Sequence, residues 1–264
     1  MRFTKTFAIG GVAAASLLFS TACTSITAEE TRPVQIAAAK KPAKRELAPH
    51  VVKEMTHTPL KKDPKVEAIY KPGKWISLFD GKSMKGWKVT DFAGGGEIEV
   101  QKEFKGQPAL IIPMGEALTG VTITNPVPKT SYEVEAEAMK VDGNDFWLGL
   151  TFPVGETHAT LIMGGWGGAV VGISSFDGSD ASENDTTDFI RFDNNKWYKV
   201  RLKVTPTKIE TWLDGDKLID QDLKDRRVHM RFGEIELSAP LGLATFQTTT
   251  AYRKLRIRRL PTKP

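Results

Sequence analysis

Trp75-Ile-Ser-Leu-Phe-Asp-Gly-Lys-Ser-Met-Lys-Gly-Trp87 is the stretch on which the reading of the fold turns. Trp75, Leu78 and Phe79 form a short apolar run, and Asp80-Gly81 is a turn signal because glycine accepts positive φ. A second large aromatic, Trp87, follows Gly86. The segment therefore predicts a strand, a tight turn and an indole returning to a core.

Downstream the pattern is β almost throughout. Tyr132, Val134, Ala136 and Ala138 alternate with Glu133, Glu135, Glu137 and Met139; Val200, Leu202 and Val204 alternate with Lys199, Arg201 and Lys203; Leu255 and Ile257 alternate with Lys254, Arg256 and Arg258. Period two with one polar face marks half-exposed antiparallel strands. Further strands are predicted over 97–100, 109–112, 146–152, 159–163, 169–174, 208–213 and 241–245, divided by turns such as Asp142-Gly143-Asn144, Asp177-Gly178 and Asp214-Gly215-Asp216. In 208–223, Ile209, Thr211 and Leu213 face one way before the chain turns at Asp214-Gly215-Asp216. Only 220–227 hints at a helical turn. Many short strands with little helix predict an all-β, two-sheet antiparallel β-sandwich, and the length favours a jelly roll.

The chain before residue 73 is different. Residues 1–22 have a basic start (Arg2, Lys5), an apolar stretch and the small residues Ser20, Thr21 and Ala22 ahead of Cys23, which reads as an export signal of lipoprotein type. Cys23 is the only cysteine, so it cannot form an internal disulfide; its position suits a lipid-modified residue, although Ser20 stands where such signals usually carry leucine. Residues 23–72 are rich in Ala, Lys and Pro and read as a solvated tether, leaving 73–264 as one domain. Residues 24–72 hold ten Lys/Arg against six Asp/Glu and the leader adds two basic residues; removing both from the formal net of +5 leaves −1 for the domain. A nearly neutral domain argues against nucleic-acid binding. The basic tether suits an exported protein held to the cell envelope by its lipid.

Candidate site residues gather around a glycine-framed tryptophan. In Met163-Gly-Gly-Trp-Gly-Gly168, Trp166 stands among four glycines, which keep other side chains off the indole and let a ligand approach its face. An acidic, hydroxyl-rich segment with Asp177, Asp180, Glu183, Asn184, Asp185 and Asp188 follows. A flat aromatic surface stacks on sugar C–H bonds while Asp, Asn and Ser hydrogen-bond hydroxyls, so an oligosaccharide or polysaccharide is the expected ligand. A sandwich corner served by glycine bulges explains Trp166 equally well. Trp147, Trp166, Asp180, Glu183 and Asn184 are read as substrate-binding, and Asp177, Glu135 and His158 as catalytic, His158 as an acceptor or general base. For Glu135, with Glu133 and Glu137, the competing reading is a charge ladder against Lys199, Arg201 and Lys203 on a neighbouring strand. The reading invokes no cofactor; the acidic segment is a candidate for structural Ca²⁺, but it lacks the EF-hand order of ligands. The two histidines outside the tether, His158 and His229, are too few for a three-histidine zinc site. No Gly-x-Ser-x-Gly elbow and no phosphate-binding loop are present.

The 75–87 stretch resembles the opening motif of the 3-keto-disaccharide hydrolase family, a jelly-roll group. Asn195-Lys-Trp-Tyr-Lys-Val-Arg-Leu202 with the following hairpin looks like the concanavalin-like pattern in which a Trp-Tyr pair opens a strand, and Leu255-Arg-Ile-Arg-Arg-Leu260 resembles that family's last strand. The resemblance covers roughly 74–260. It implies hydrolysis of glycosides oxidised to a ketone at carbon 3, where the carbonyl acidifies the neighbouring carbon and permits elimination followed by hydration. Where many relatives carry an Asn-Ser-Gly strand ending in phenylalanines and an arginine, this chain reads Asn144-Asp-Phe-Trp-Leu-Gly-Leu-Thr151, without that arginine. Three readings follow: an envelope glycoside hydrolase or lyase, a non-catalytic carbohydrate-binding domain, and a structural envelope lipoprotein.

Overall fold

A computed structural model describes residues 60–261. The export signal, Cys23, His50, His57 and the tether up to 59 lie outside the described residues.

The first described element corrects the tether boundary. Helix α1 (Pro64–Ile69) starts with proline at a position that needs no N–H donor, and Asp63 caps it by accepting the Lys65 N–H. Val66 and Tyr70, one turn apart, are buried in the main core, and Glu67 pairs with Arg259. The domain therefore begins near residue 63. The Ala/Lys/Pro average over 23–72 concealed two apolar residues at helical spacing.

Fifteen strands follow: β1 (Trp75–Ser77), β2 (Trp87–Val89), β3 (Glu99–Phe104), β4 (Gln107–Ile112), β5 (Leu118–Ile123), β6 (Tyr132–Gly143), β7 (Leu148–Val154), β8 (Thr157–Gly164), β9 (Val170–Ser174), β10 (Asp188–Phe189), β11 (Trp197–Val204), β12 (Lys208–Leu213), β13 (Asp216–Asp222), β14 (Gly242–Phe246) and β15 (Thr248–Arg259). They form two antiparallel sheets. One runs β13-β12-β11-β6-β15-β4-β3, with β1 also paired to β15; the other runs β10-β9-β8-β7-β14-β5-β2. The chain is thus a jelly-roll sandwich, as its alternation predicts.

The central strands turn alternate residues to a shared interior. Tyr132, Val134, Ala136 and Ala138 of β6 and Leu148, Leu150 and Phe152 of β7 belong to one core with Ile209, Leu213 and Ile257. The predicted β12–β13 hairpin forms, its turn at Asp214 and Gly215 having φ of 52° and 105°. The helical turn expected at 220–227 does not form, because β13 continues through Asp222 against β12. Among the described residues the 3-10 turn lies instead at Glu234–Ser238. Strand β5 escaped prediction because Gly120 interrupts its apolar run; a Cβ there would stand 2.5 Å from the Leu243 carbonyl of β14.

The outer face of the β6-containing sheet is the charge ladder. Glu133, Glu135 and Glu137 register against Lys203, Arg201 and Lys199 on β11 and against Arg258, Arg256 and Arg253 on β15. Arg258–Glu133 and Arg253–Glu137 contacts are 2.6 Å, and Arg256–Glu135 is 2.5 Å. The Arg253, Arg256 and Arg201 guanidiniums lie over Trp197, Trp75 and Trp212 at 3.9, 4.5 and 3.8 Å. Desolvation opposes the charged form of Glu137, but hydrogen bonds from Lys254 and Arg253 outweigh it and hold its pKa below the usual value. A depressed carboxyl pKa contributes stability that is present above the unfolded-state value and is lost as pH falls through the folded one. Replacing Glu137 by Gln should therefore cost about 1 kcal/mol of unfolding free energy at neutral pH and less at about pH 3. Denaturant melts at the two pH values check this; an equal loss at both rejects the ion-pair account.

Candidate functional site: an aromatic-walled groove on the second sheet

The outer face of the β7-containing sheet is built differently. Most residues that alternate with the core positions are small or hydroxylated: Gly149 and Thr151 on β7, Thr160 on β8, Gly172 and Ser174 on β9, Gly242 and Ala244 on β14. Two loops lie on this floor. The acidic loop crosses β9 at Gly172, where a Cβ would come 2.5 Å from the Ala181 carbonyl. On the other side the Glu234–Ser238 turn is tied down by a hydroxyl chain, Thr160–Thr151 at 2.9 Å and Thr151–Ser238 at 2.6 Å. Between the loops a groove of about 280 Å³ stays open.

Trp166 forms one end of it. The turn Gly165–Gly168 links β8 to β9 with Trp166 left-handed (φ 48°, ψ 53°) and Gly167 and Gly168 at φ of 88° and 106°. This strained corner leaves the indole 44% exposed on the groove wall. Asp145 supports the turn: its Oδ2 accepts the Gly167 N–H at 3.2 Å and its Oδ1 the Phe146 N–H at 2.7 Å. The Asp145 carboxylate and the Phe146 ring both line the groove.

Arg231 reaches the groove from the loop after β13. Its guanidinium carbon stands 5.8 Å from the Trp166 ring centroid, and one arm pairs with Asp180. Asp180 also accepts the Ser174 hydroxyl and the Ala181 N–H. A carboxylate so engaged holds an arginine in place, and the other donors of the planar fork remain for a ligand. Arg231, Asp145 and Phe146 were missed as site residues by sequence reasoning. Asp145 and Phe146 do fall in the stretch that corresponds to the family's Asn-Ser-Gly strand; no signal in the sequence marked Arg231.

Several expected residues lie elsewhere. Trp147 is no ligand platform: it is fully buried, packed on Phe192 and Tyr198 at 5.0 and 5.5 Å between ring centroids. Glu135, expected as catalytic, sits in the ladder on the opposite sheet with Arg256 and Lys199, so it shares no cleft with Trp166. Asp177 accepts the Arg227 N–H at 2.7 Å and pairs with Arg226 at 2.5 Å, stapling two loops together away from the groove. His158 is on the groove-facing side of β8 but does not line the groove. Burial and the neighbouring Lys129 ammonium hold its pKa below the ordinary imidazole value. Asn184, expected to bind substrate, spends its amide within the loop, donating to the Ile173, Ser179 and Asp180 carbonyls and accepting from Thr186. Glu183 contributes a backbone N–H to the Asp180 carbonyl, and its carboxylate has no partner among the described residues. The acidic side chains do not converge as a Ca²⁺ shell: Asp177 and Asp185 point to Arg226 and Asp180 to Arg231, and no metal-holding group of three occurs among the described residues.

Fold and groove define a jelly-roll sandwich with an aromatic, acid-bearing cleft on one sheet. The chain belongs to the family of 3-keto-alpha-glucoside-1,2-lyase-like domains, whose model matches residues 74–258. Membership supports a glycan-directed hydrolase or carbohydrate-binding domain. Among solved structures it is similar to the carbohydrate-binding module CBM66 from Bacillus subtilis, at 14% identity and TM-score 0.41 over 66% of this chain and 95% of that one. It is also similar to domain 4 of AbnA, a GH43 extracellular arabinanase from Geobacillus stearothermophilus in complex with arabinotriose, at 12% and 0.42 over 67% and 84%. A third likeness is to the Crh5 transglycosylase in complex with NAG, at 10% and 0.43 over 73% and 91%. Identities this low concern the fold alone. No match was found among curated proteins.

Two outcomes check these placements. Asn184→Ala should lower the unfolding free energy by about 1–3 kcal/mol, the cost of orphaning buried carbonyls and N–H groups, where a ligand-binding Asn would lower affinity and leave stability alone. Because the His158 pKa is depressed on folding, wild-type stability should decline as pH falls from about 6.5 through the folded value, and His158→Gln should remove that part of the slope. Chemical denaturation between neutral and mildly acidic pH reads it.

Proposed function

We propose that the groove of the second sheet binds a 3-keto-glycoside and cleaves it by elimination and hydration. The observation that carries this reading is the convergence on one open face of a half-exposed indole, an oriented arginine and a carboxylate held only by backbone amides. The Trp166 face stacks on the sugar ring. Arg231, positioned by Asp180, donates to the ketone oxygen at carbon 3 and stabilises the negative charge that develops there. Asp145 takes the proton from carbon 2, the carbon–oxygen bond at carbon 1 breaks, and the leaving oxygen is protonated by water or by the Asp145 acid just formed. Water then adds its hydroxyl to carbon 1 and a proton returns to carbon 2, so the net change is hydrolysis. Arg231 supplies in this scheme the cation that the 144–151 stretch lacks. We extend the reading to location: export, a lipid on Cys23 and a basic tether hold the domain to the bacterial envelope, testable by metabolic labelling with palmitate and its loss in Cys23→Ala.

A binding role without cutting is the second reading, favoured by the two backbone hydrogen bonds that Asp145 already accepts. Incubating the purified protein with 3-keto-glycosides and their parent sugars separates the two. Turnover should fall about 10²–10⁴-fold in Asp145→Asn and collapse in Arg231→Gln, while Glu135→Gln and Asp177→Asn remain near wild type. Trp166→Ala should weaken binding without lowering the melting temperature. Binding with no turnover in any form of the protein sinks the enzyme and leaves the binder; turnover lost in Glu135→Gln but kept in Asp145→Asn moves the chemistry to the wrong sheet for this proposal.

A further inference from the structure

The groove carries most of its polar groups at one end and is almost wholly apolar at the other. Over β8 and β9 it presents Thr160, Ser174 and Ile162, with the Asp145 carboxylate, Arg231 and the Trp166 face beside them. Over β14 and β5 it presents Phe246, Leu118, Phe146 and Ile235. Leu118 and Phe246 are registered opposite each other, and the Phe146 and Phe246 rings lie 5.9 Å apart at 37°. Beneath them is a small core of its own, in which Phe92, Leu118, Ile235 and Ala244 are buried and Phe146, Met230 and Phe246 are left partly open. At the rim Phe232 is 93% exposed, which no packing in the folded chain explains. The one charged group at this end, Glu234, is exposed at the rim, its carboxylate 3.4 Å from the Ala93 N–H.

From β9 to β5 is four interstrand steps, about 19 Å at about 4.8 Å each, which is room for two rings end to end. Only the polar end can satisfy a sugar. A second pyranose over β14 and β5 would lose water from its hydroxyls against phenylalanine and leucine with no partner to replace it, a cost of about 1–3 kcal/mol per unsatisfied group. A flat apolar ring at the same place meets two phenyl rings at stacking distance and carries no hydroxyls to orphan.

Resting on the sugar site proposed above, we infer that the ligand is a glycoside whose aglycone is an aromatic or otherwise apolar ring. The aglycone lies over β14 and β5 against Phe146 and Phe246, and Phe232 folds down as its outer wall. Specificity for the leaving half of the substrate is set by these residues and not by the polar end.

Methyl and phenyl 3-keto-glucosides, titrated calorimetrically into the full-length Asp145→Asn protein so that neither is consumed, test the inference. The phenyl compound should bind at least about tenfold more tightly than the methyl one. Phe246→Thr should bring the ratio close to one with methyl-glycoside affinity unchanged, and Phe232→Ala, which removes a solvent-facing ring and leaves the fold intact, should lower the ratio several-fold. Equal affinity for the two ligands, or a preference for phenyl that survives both replacements, overturns the aglycone assignment while leaving the sugar site standing. Failure of both glycosides to bind removes the sugar site itself, and the assignment with it.

Discussion

The buried indole of Trp147 is the constraint on which the groove depends. Its ring is locked against Phe192 and Tyr198, and its carbonyl accepts the Thr250 and Tyr252 hydroxyls at 2.8 Å, so the start of β7 is fixed to β15 across the sandwich. With residue 147 committed inward, period two sends Phe146 to the other face, and Asp145 is left where it can reach the Gly167 N–H. A Cβ on Gly164 would stand 2.7 Å from the same indole, so the turn that carries Trp166 rests on it as well. One side chain thus sets the position of an acid, a ring and a strained corner.

The two outer faces of the sandwich answer different physical demands. On one, three glutamates are flanked by cations on both neighbouring strands, and the arginines also cover half-buried tryptophans. On the other, glycine and threonine keep the floor low enough for loops to lie on it, and the loops meet only partway. Carboxylates occur on both faces. Those in the ladder are held by fixed cations, whereas Asp145 is held by neutral amides and faces the groove.

Much of the architecture was legible from residue order. Alternation over 132–139, 200–204 and 255–257 identified the central strands and their polar faces, and the pairing of Glu133, Glu135 and Glu137 with β11 cations was foreseen as one of two readings. The site was less so. Trp147 and Trp166 look alike as tryptophans next to glycine-rich strands, yet one is core and the other wall, because their orientation depends on which sheet face each strand turns inward. Asp177 and Asp180 are three residues apart in one loop, and only the folded chain brings Arg226 to the first and Arg231 to the second. The boundary at residue 72 failed for a smaller reason: Val66 in α1 and Tyr70 at its C-terminal end weigh little in a composition average.

By itself the sequence determined a two-sheet antiparallel sandwich, because period two and turn chemistry are local properties that each segment carries with it. It determined too that an indole framed by glycines stands beside an acidic loop. Which face holds the cleft, and which acid and which arginine enter it, was decided by tertiary structure alone. Arg231 lies 65 residues from Trp166 and 86 from Asp145 along the chain; only the stacking of loops over a folded sheet brings them together, and no local pattern encodes that meeting.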